Sequence, residues 1–136
     1  MLIKEWNPSF SVNVKKFDDQ HMRIFELLNE LHASMKEGRG SLIIMDTLNS
    51  LISFTDTHFV EEEQLMFSTD YANRVKHIDL HIKIITNIYK LKQEFVSGDS
   101  DIVTIKTLSL LNDLLVNHIK IEDKKYSMFF NDKGIC

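Results

Sequence analysis

Glycine and proline are scarce in this chain of 136 residues, which contains four Gly and one Pro. Average usage, roughly 7% Gly and 5% Pro, would supply about 16 such residues over this length. An all-β fold needs a turn roughly every 8–12 residues, and Gly or Pro forms many of those turns. The scarcity therefore disfavours a turn-rich β fold and predicts an all-α protein.

Other features that the chain lacks exclude several classes of function. Lys and Arg number 16 against 20 Asp and Glu, a net charge of −4 without a basic patch, which argues against nucleic acid or an anionic membrane as the main partner. The longest aliphatic or methionine run, 42–45, is too short for a membrane span, and the first eight residues do not resemble a secretory signal. The single Cys136 cannot form an intrachain disulfide, and we expect a cytoplasmic protein.

Apolar residues recur at helical spacing in four stretches that short loops separate. The predicted helices cover about 18–37, 41–66, 72–96 and 101–120, between an extended arm at 1–17 and a C-terminal tail at 121–136. Gly38 and Gly98 are expected to end the first and third helices, and Ser41 and residues 99–101 to cap the second and fourth. Four helices of about 20 residues with short loops predict a single domain, 1–136, folded as an antiparallel up-down-up-down four-helix bundle.

Five of the six histidines fall at one end of this predicted bundle, together with two acidic residues. His77 and His81 are an i,i+4 pair, as are His58 and Glu62, so each pair lies on one helix face. In an up-down-up-down bundle, the starts of the first and third helices share one end with the ends of the second and fourth. The residues placed there are His21, His58, Glu62, His77, His81, His118 and Asp123.

His118 and His32 differ from the other histidines in their positions along the predicted helices. His118 and Asp123 are i,i+5, about 140° apart on a regular α-helix, so we expect them to converge only if the helix tightens or ends there. His32 shares the face of His21, but eleven residues of helix place it about 16 Å further along the axis. We therefore interpret His32 as structural or solvent-facing and not as a ligand.

Five imidazoles and two carboxylates suit a pair of first-row metal ions, iron foremost. Two six-coordinate irons that share both carboxylates and one bridging oxygen would use all but one of their positions. The remaining position is what a small-molecule binding site requires. Structural zinc is disfavoured because it prefers four ligands, commonly with Cys. A ferritin-type site is disfavoured because the chain contains no Glu-x-x-His.

These residues and their order along the chain resemble the hemerythrin family, specifically its bacterial single-domain members. The similarity extends over nearly the whole chain and includes Trp6, Asp18-Asp19-Gln20-His21, His58-Phe59-Val60-Glu61-Glu62, Met66, Tyr71, His77-x-x-x-His81, Asn117-His118-Ile119-Lys120-Ile121-Glu122-Asp123 and Tyr126. Each block alone is modest, but all of them in order at the family's spacing are highly specific.

The resemblance implies two iron ions per chain in a non-haem di-iron centre. One iron would be held by His77, His81 and His118, and the other by His21 and His58. Glu62 and Asp123 would bridge both irons alongside an oxo or hydroxo group. O2, or another small ligand such as NO, would bind at the open position of the two-histidine iron.

Reversible binding requires a dry pocket that keeps protons and reductants from the bound ligand. The candidate lining residues, adjacent to the ligands or one turn away, are Ile24, Phe59, Leu115 and Ile119. Leu114 also belongs to this set, because it replaces an aromatic residue that the family often has at this point, and it predicts a roomier pocket. A second departure from the family pattern is Ala72, which follows Tyr71 where Pro is common.

The resemblance implies reversible O2 binding for storage, transport or delivery, by a protein that is not an enzyme. The alternatives are a sensor of O2, NO or redox state, a di-iron oxidase or peroxidase, and an iron-handling protein. Sensor versions are usually one domain of a longer chain, whereas this sequence starts and stops with the bundle, which favours the carrier. Five histidines with only two carboxylates favour reversible binding over oxidation.

Several residues near the motifs are interpreted as structural. Asp18 and Asp19 are expected to be a helix N-cap and a first-turn acid. Glu61 and Glu63 are interpreted as a solvated face, with Glu61 also a candidate contact to a ligand. The arm is expected to lay its apolar side chains over the bundle: Trp6, Phe10, Val12, Val14 and Phe17.

Overall fold

Long helices follow one another along the chain, and no strand occurs among the residues that the structure describes. The computed structural model describes residues 5–98 and 101–136, with side chains except at 101–104. Its helices are α1 (Lys15–Lys36), α2 (Ser41–Ser68), α3 (Arg74–Val96) and α4 (Asp101–Asn117), which continues through a π-helix (His118–Asp123) into α5 (Lys124–Asp132). The arm contains a short 3₁₀ turn, Pro8–Phe10. The predicted all-α fold is therefore confirmed.

Consecutive helices run antiparallel, as the contacts between their ends show. Gln20 at the start of α1 contacts Glu61 late in α2, and Glu63 late in α2 contacts His81 early in α3. Helix α4 packs against both α3 and α1, which closes the bundle. The predicted up-down-up-down four-helix bundle is confirmed. In the described part of the chain, none of the helices is long and apolar enough to cross a membrane.

Gly38 turns the chain away from the end of α1. Its φ is +66°, in the left-handed region, which glycine adopts without a side-chain clash. The N–H of Arg39 then donates to the C=O of Ser34 at 2.9 Å, which satisfies one of the last carbonyls of α1. Gly98 has the same conformation after α3, with φ +73°. Both predicted helix ends are confirmed.

The start of α1 differs from the prediction. The helix begins at Lys15 with Val14 at its N-cap, so Asp18 lies inside the first turn and is not the cap. The Asp18 carboxylate reaches back to accept hydrogen bonds from the N–H of Val12 at 2.8 Å and from the hydroxyl of Ser11 at 2.6 Å. Asp18 therefore stabilises the junction between the arm and α1.

Other boundaries also differ. Gly40 occupies the N-cap of α2, so Ser41 is its first helical residue and not its cap. Helix α2 continues to Ser68, and α3 begins at Arg74. The predicted C-terminal tail is helical as far as Asp132, because Tyr126 and Phe130, one turn apart, are both fully buried. Residues 99 and 100 of the predicted fourth cap lie outside the described residues.

Three apolar clusters stabilise the bundle, each buried Leu, Ile or Phe contributing about 1.5–3 kcal/mol. The largest fills the interior between the four long helices. A second closes one end of the bundle and consists of Val12, Val14, Phe17, Met66, Tyr71, Tyr126 and Phe130. A third consists of Phe10, Phe25, Val116 and Ile119, with Trp6 packed against it. The apolar side chains of the arm thus cover the end of the bundle at which the histidines were expected.

Candidate metal centre

All seven predicted ligands come together in the interior, and none is more than 5% exposed. They form two groups in which one nitrogen or oxygen from each residue lies within 4.8 Å of the others. The larger group is Glu62, His77, His81, His118 and Asp123, and the smaller is His21, His58, Glu62 and Asp123. The two carboxylates belong to both groups, whereas each histidine belongs to one.

Each shared carboxylate turns one oxygen toward each group. Asp123 places Oδ1 2.9 Å from His77 Nε2 and 3.0 Å from His118 Nε2, and it places Oδ2 3.1 Å from His21 Nε2. Glu62 places Oε1 3.2 Å from His81 Nε2 and Oε2 2.9 Å from His58 Nε2. Each carboxylate therefore faces both groups of histidines.

The donor atoms fit a pair of metal ions, because many of them have no other partner. The Nε2 atoms of His77, His81 and His118 are buried without a hydrogen bond, as are Oε1 of Glu62 and both carboxylate oxygens of Asp123. Leaving a buried polar atom unpaired costs about 1–3 kcal/mol. Metal coordination would satisfy all of these atoms at once, and imidazole with carboxylate is a donor set that suits iron.

A π-helix brings His118 and Asp123 to the same side of the chain. The prediction that the helix must tighten or end there is wrong, because the helix widens over His118–Asp123 instead. In a π-helix the hydrogen bonds join residues five apart, so an i,i+5 pair faces one direction. Both side chains are consequently buried and face the cluster.

The two carboxylates also control the charge of the imidazoles when no metal is bound. Burial alone would lower the pKa of His21, but the adjacent carboxylates of Asp123 and Glu62 raise it to about 9. His77 is affected in the same way, and its pKa rises to about 10. Burial would raise the pKa of Glu62, yet the surrounding imidazoles hold it well below its ordinary value. In the metal-free protein, His21 and His77 are therefore protonated at neutral pH.

Three side chains outside the predicted set contact the ligands. The hydroxyl of Tyr126 donates to Glu62 Oε2 at 2.7 Å. His81 Nδ1 donates to Glu63 Oε2 at 2.7 Å, so the interpretation of Glu63 as part of a solvated face is wrong. Gln20 lies between His58 and Glu61 and contacts both. The motif blocks contain Gln20 and Tyr126 but not Glu63. Helical spacing alone carries no signal for contacts that cross between helices.

Phe59 is the candidate pocket residue that contacts the ligands most directly. Its ring stacks on His81 with centroids 3.7 Å apart and an interplanar angle of 7°, and it meets His118 edge-on. Ile24 and Leu115 are buried in the same apolar cluster as Phe59. These three side chains therefore belong to one apolar cluster that contacts the ligands through Phe59.

The other two pocket candidates lie on α4 and on the π-helix. Ile119 is buried in the cluster under the arm. Leu114 is partly buried and, with His118, lines a cavity of about 180 Å³ between α3 and the end of α4. His32, interpreted above as no ligand, is partly exposed on α1 and belongs to neither ligand group.

Comparison with known proteins gives consistent matches over almost the whole chain. The family described as hemerythrin HHE cation binding domain matches residues 12–129. The chain is 35% identical to a bacteriohemerythrin of Methylococcus capsulatus over 93% of this chain and 95% of that relative. It is 31% identical to a hemerythrin-like protein of Naegleria gruberi, covering 89% and 88% of the two chains. A crystal structure of wild-type hemerythrin aligns with a TM-score of 0.83 at 33% identity, covering 93% and 97%.

Proposed function

Because the chain belongs to the hemerythrin HHE cation binding domain family, we propose that it binds O2 reversibly at a pair of non-haem iron ions. The seven buried residues would hold these ions. His77, His81 and His118 would bind one iron and His21 and His58 the other, with Glu62 and Asp123 between them. An oxo or hydroxo group would complete the bridge.

The observation that carries this proposal is the division of the carboxylate oxygens. Asp123 directs one oxygen to His77 and His118 and the other to His21. A carboxylate that served a single ion would direct both oxygens to one group of histidines. The unequal number of histidines in the two groups leaves the smaller group with room for a further ligand.

A ferrous pair, when bound, supplies the two electrons on which reversible O2 binding draws. The protein's own residues would hold the ions and exclude water. Phe59 covers one face of His81, and Tyr126 donates a hydrogen bond that orients Glu62. Phe59 belongs to the largest apolar cluster of the bundle, and an apolar pocket beside the ions would protect bound O2 from protons.

We assign a binding role, for O2 storage, transport or delivery, and not an enzymatic one. Ferritin-like di-iron carboxylate proteins build their sites from four Glu and two His. Here five imidazoles and two carboxylates surround the candidate site. This nitrogen-rich donor set supports a site that binds O2 and returns it unchanged.

Metal analysis and visible spectroscopy of the purified protein test the proposal. We expect two irons per chain, a colourless reduced form, a coloured form under O2 and a return to the colourless form when O2 is removed. Zinc in place of iron, or continuous consumption of O2, would contradict it. More than two irons per chain would indicate iron handling instead.

A further inference from the structure

Gln20 connects the two-histidine half of the site to the surface of the bundle. It lies on α1 directly before His21, and its Oε1 accepts a hydrogen bond from Nδ1 of His58 on α2. Its Nε2 donates to the carboxylate of Glu61, which also lies 3.5 Å from Nζ of Lys16. A row of polar contacts thus runs from a partly exposed ion pair to a buried imidazole.

The direction of each hydrogen bond follows from the chemistry of Glu61. An ionised carboxylate can only accept, so the NH2 group of Gln20 must face Glu61. The amide oxygen is then turned toward His58, and His58 Nδ1 must carry the proton. That tautomer leaves Nε2 with a free lone pair, and His58 Nε2 is the atom 2.9 Å from Glu62 Oε2.

The three-histidine half has a different arrangement. His81 Nδ1 donates directly to a carboxylate, that of Glu63, at 2.7 Å. Nδ1 of His77, in the same half, is buried without a hydrogen-bond partner. In the two-histidine half, Nδ1 of His21 is also buried without a partner. In the two-histidine half, His58 is thus the histidine whose Nδ1 has a hydrogen-bond partner that fixes its tautomer. That partner is the neutral amide of Gln20 and not a carboxylate.

We propose that Gln20 is a positioning residue which, oriented by Glu61, holds His58 in the tautomer that can bind a metal ion. This inference rests on the proposed function, because it assigns a role to His58 as a ligand. Contacts to the non-coordinating nitrogen of a ligand histidine typically change metal affinity by about 10- to 100-fold. The change in affinity should concern the metal ion that His21 and His58 would hold.

The charge of the side chain at position 61 should determine the orientation of the Gln20 amide. Glu61→Ala removes the group that orients the amide, so Gln20 can rotate freely. Glu61→Lys places a donor there, which attracts the amide oxygen and turns the NH2 group toward His58. His58 would then keep its proton on Nε2, the atom that should bind the metal. Metal affinity should therefore fall in the order wild type, Glu61→Ala, Glu61→Lys.

The test is the release of Zn²⁺ from the fully loaded protein to a chelator, followed as two kinetic phases. Gln20→Met keeps the length of the side chain and removes the hydrogen bond, so we expect one phase to accelerate by roughly 10- to 100-fold. Glu63→Gln changes the contact to His81 and should accelerate the other phase, which assigns the phases to the two halves.

Matched controls separate positioning from general effects on the bundle. Gln64→Met makes the same replacement at an exposed position of α2, and Asp56→Lys makes the same charge change as Glu61→Lys at another exposed position of that helix. Both should release Zn²⁺ as the wild type does. The double variant Gln20→Glu with Glu61→Gln restores both hydrogen bonds with exchanged partners, so His58 keeps its proton on Nδ1 and the slow phase should be retained.

Equal acceleration of both phases in Gln20→Met, or equal behaviour of Glu61→Ala and Glu61→Lys, would overturn the role of Gln20. Wild-type protein that takes up fewer than two Zn²⁺ ions per chain, and likewise holds no pair of irons, would instead overturn the proposed function.

Discussion

His118 Nε2 lies 3.0 Å from Asp123 Oδ1, although the two residues are five positions apart along the chain. Helix α4 achieves this contact by widening into a π-helix and not by tightening. The same turn directs the continuation of the chain, because Tyr126, one turn beyond Asp123, is fully buried and donates to Glu62. One local departure from α-helical geometry thus places a histidine, a carboxylate and a phenol in the same cluster.

Removal of a predicted ligand should lower the number of metal ions bound per chain. We expect Asp123→Ala and His58→Ala each to lose one or both metal ions, because Asp123 contacts both groups of histidines and His58 belongs to the smaller one. Metal content per chain by atomic emission spectrometry measures this. His32→Ala, at a partly exposed position on α1, should keep two ions. Metal loss in His32→Ala would show that the ligand assignment is wrong.

Removal of the Tyr126 hydroxyl should destabilise the metal-free protein. Tyr126→Phe leaves Glu62 Oε2 without its 2.7 Å donor in a fully buried site. We expect the free energy of unfolding in denaturant to fall by about 1–3 kcal/mol. Tyr89→Phe removes a hydroxyl from a tyrosine that is 53% exposed, and it should change stability by less than about 0.5 kcal/mol. Equal effects of the two substitutions would contradict the role of the Tyr126 hydrogen bond.

Metal uptake should release protons at neutral pH. Without metal, the carboxylates outweigh burial and raise the pKa of His21 to about 9 and that of His77 to about 10. Both imidazoles are therefore protonated at pH 7 and must lose a proton before they bind a metal. Metal affinity should rise as the pH increases toward these pKa values. Titration calorimetry at pH 7, in two buffers of different ionisation enthalpy, should detect the release of at least these two protons. A heat of metal binding that is the same in both buffers would show that no protons are released.

A larger side chain at position 114 should slow autoxidation of the oxygenated protein. Leu114 lines the cavity of about 180 Å³ beside His118, and Leu114→Trp would fill part of that space. We expect slower loss of the oxygenated absorption band, because water and other small molecules reach the site less readily. Leu110→Trp, one turn earlier on α4 and 51% exposed, is the matched control. Equal rates for Leu114→Trp and the parent protein would contradict the expectation of a roomier pocket.

Much of the fold follows from local sequence. The periodic apolar residues and the helix ends at Gly38 and Gly98 set four helices and their directions. Those directions bring His21, His58 and His77 to one end without any knowledge of the packing. Boundaries were less well determined, because the start of α1 depends on how Asp18 engages the arm, and such contacts have no signature in helical spacing.

The roles of Gln20, Glu63 and Tyr126 depend on tertiary structure. Glu61 and Glu63 flank Glu62 alike, yet one contacts Gln20 on α1 and the other His81 on α3. The axial offset and rotation between neighbouring helices decide such contacts, and the packing of the whole core sets both.

The sequence by itself therefore determined the bundle and the end at which seven candidate ligands gather, because periodicity and helix direction are properties of each segment alone. Only the tertiary structure decided that each carboxylate faces both groups of histidines, that the chain widens between His118 and Asp123, and which side chains support the ligands. These features arise where several helices meet, and their geometry depends on all of them together.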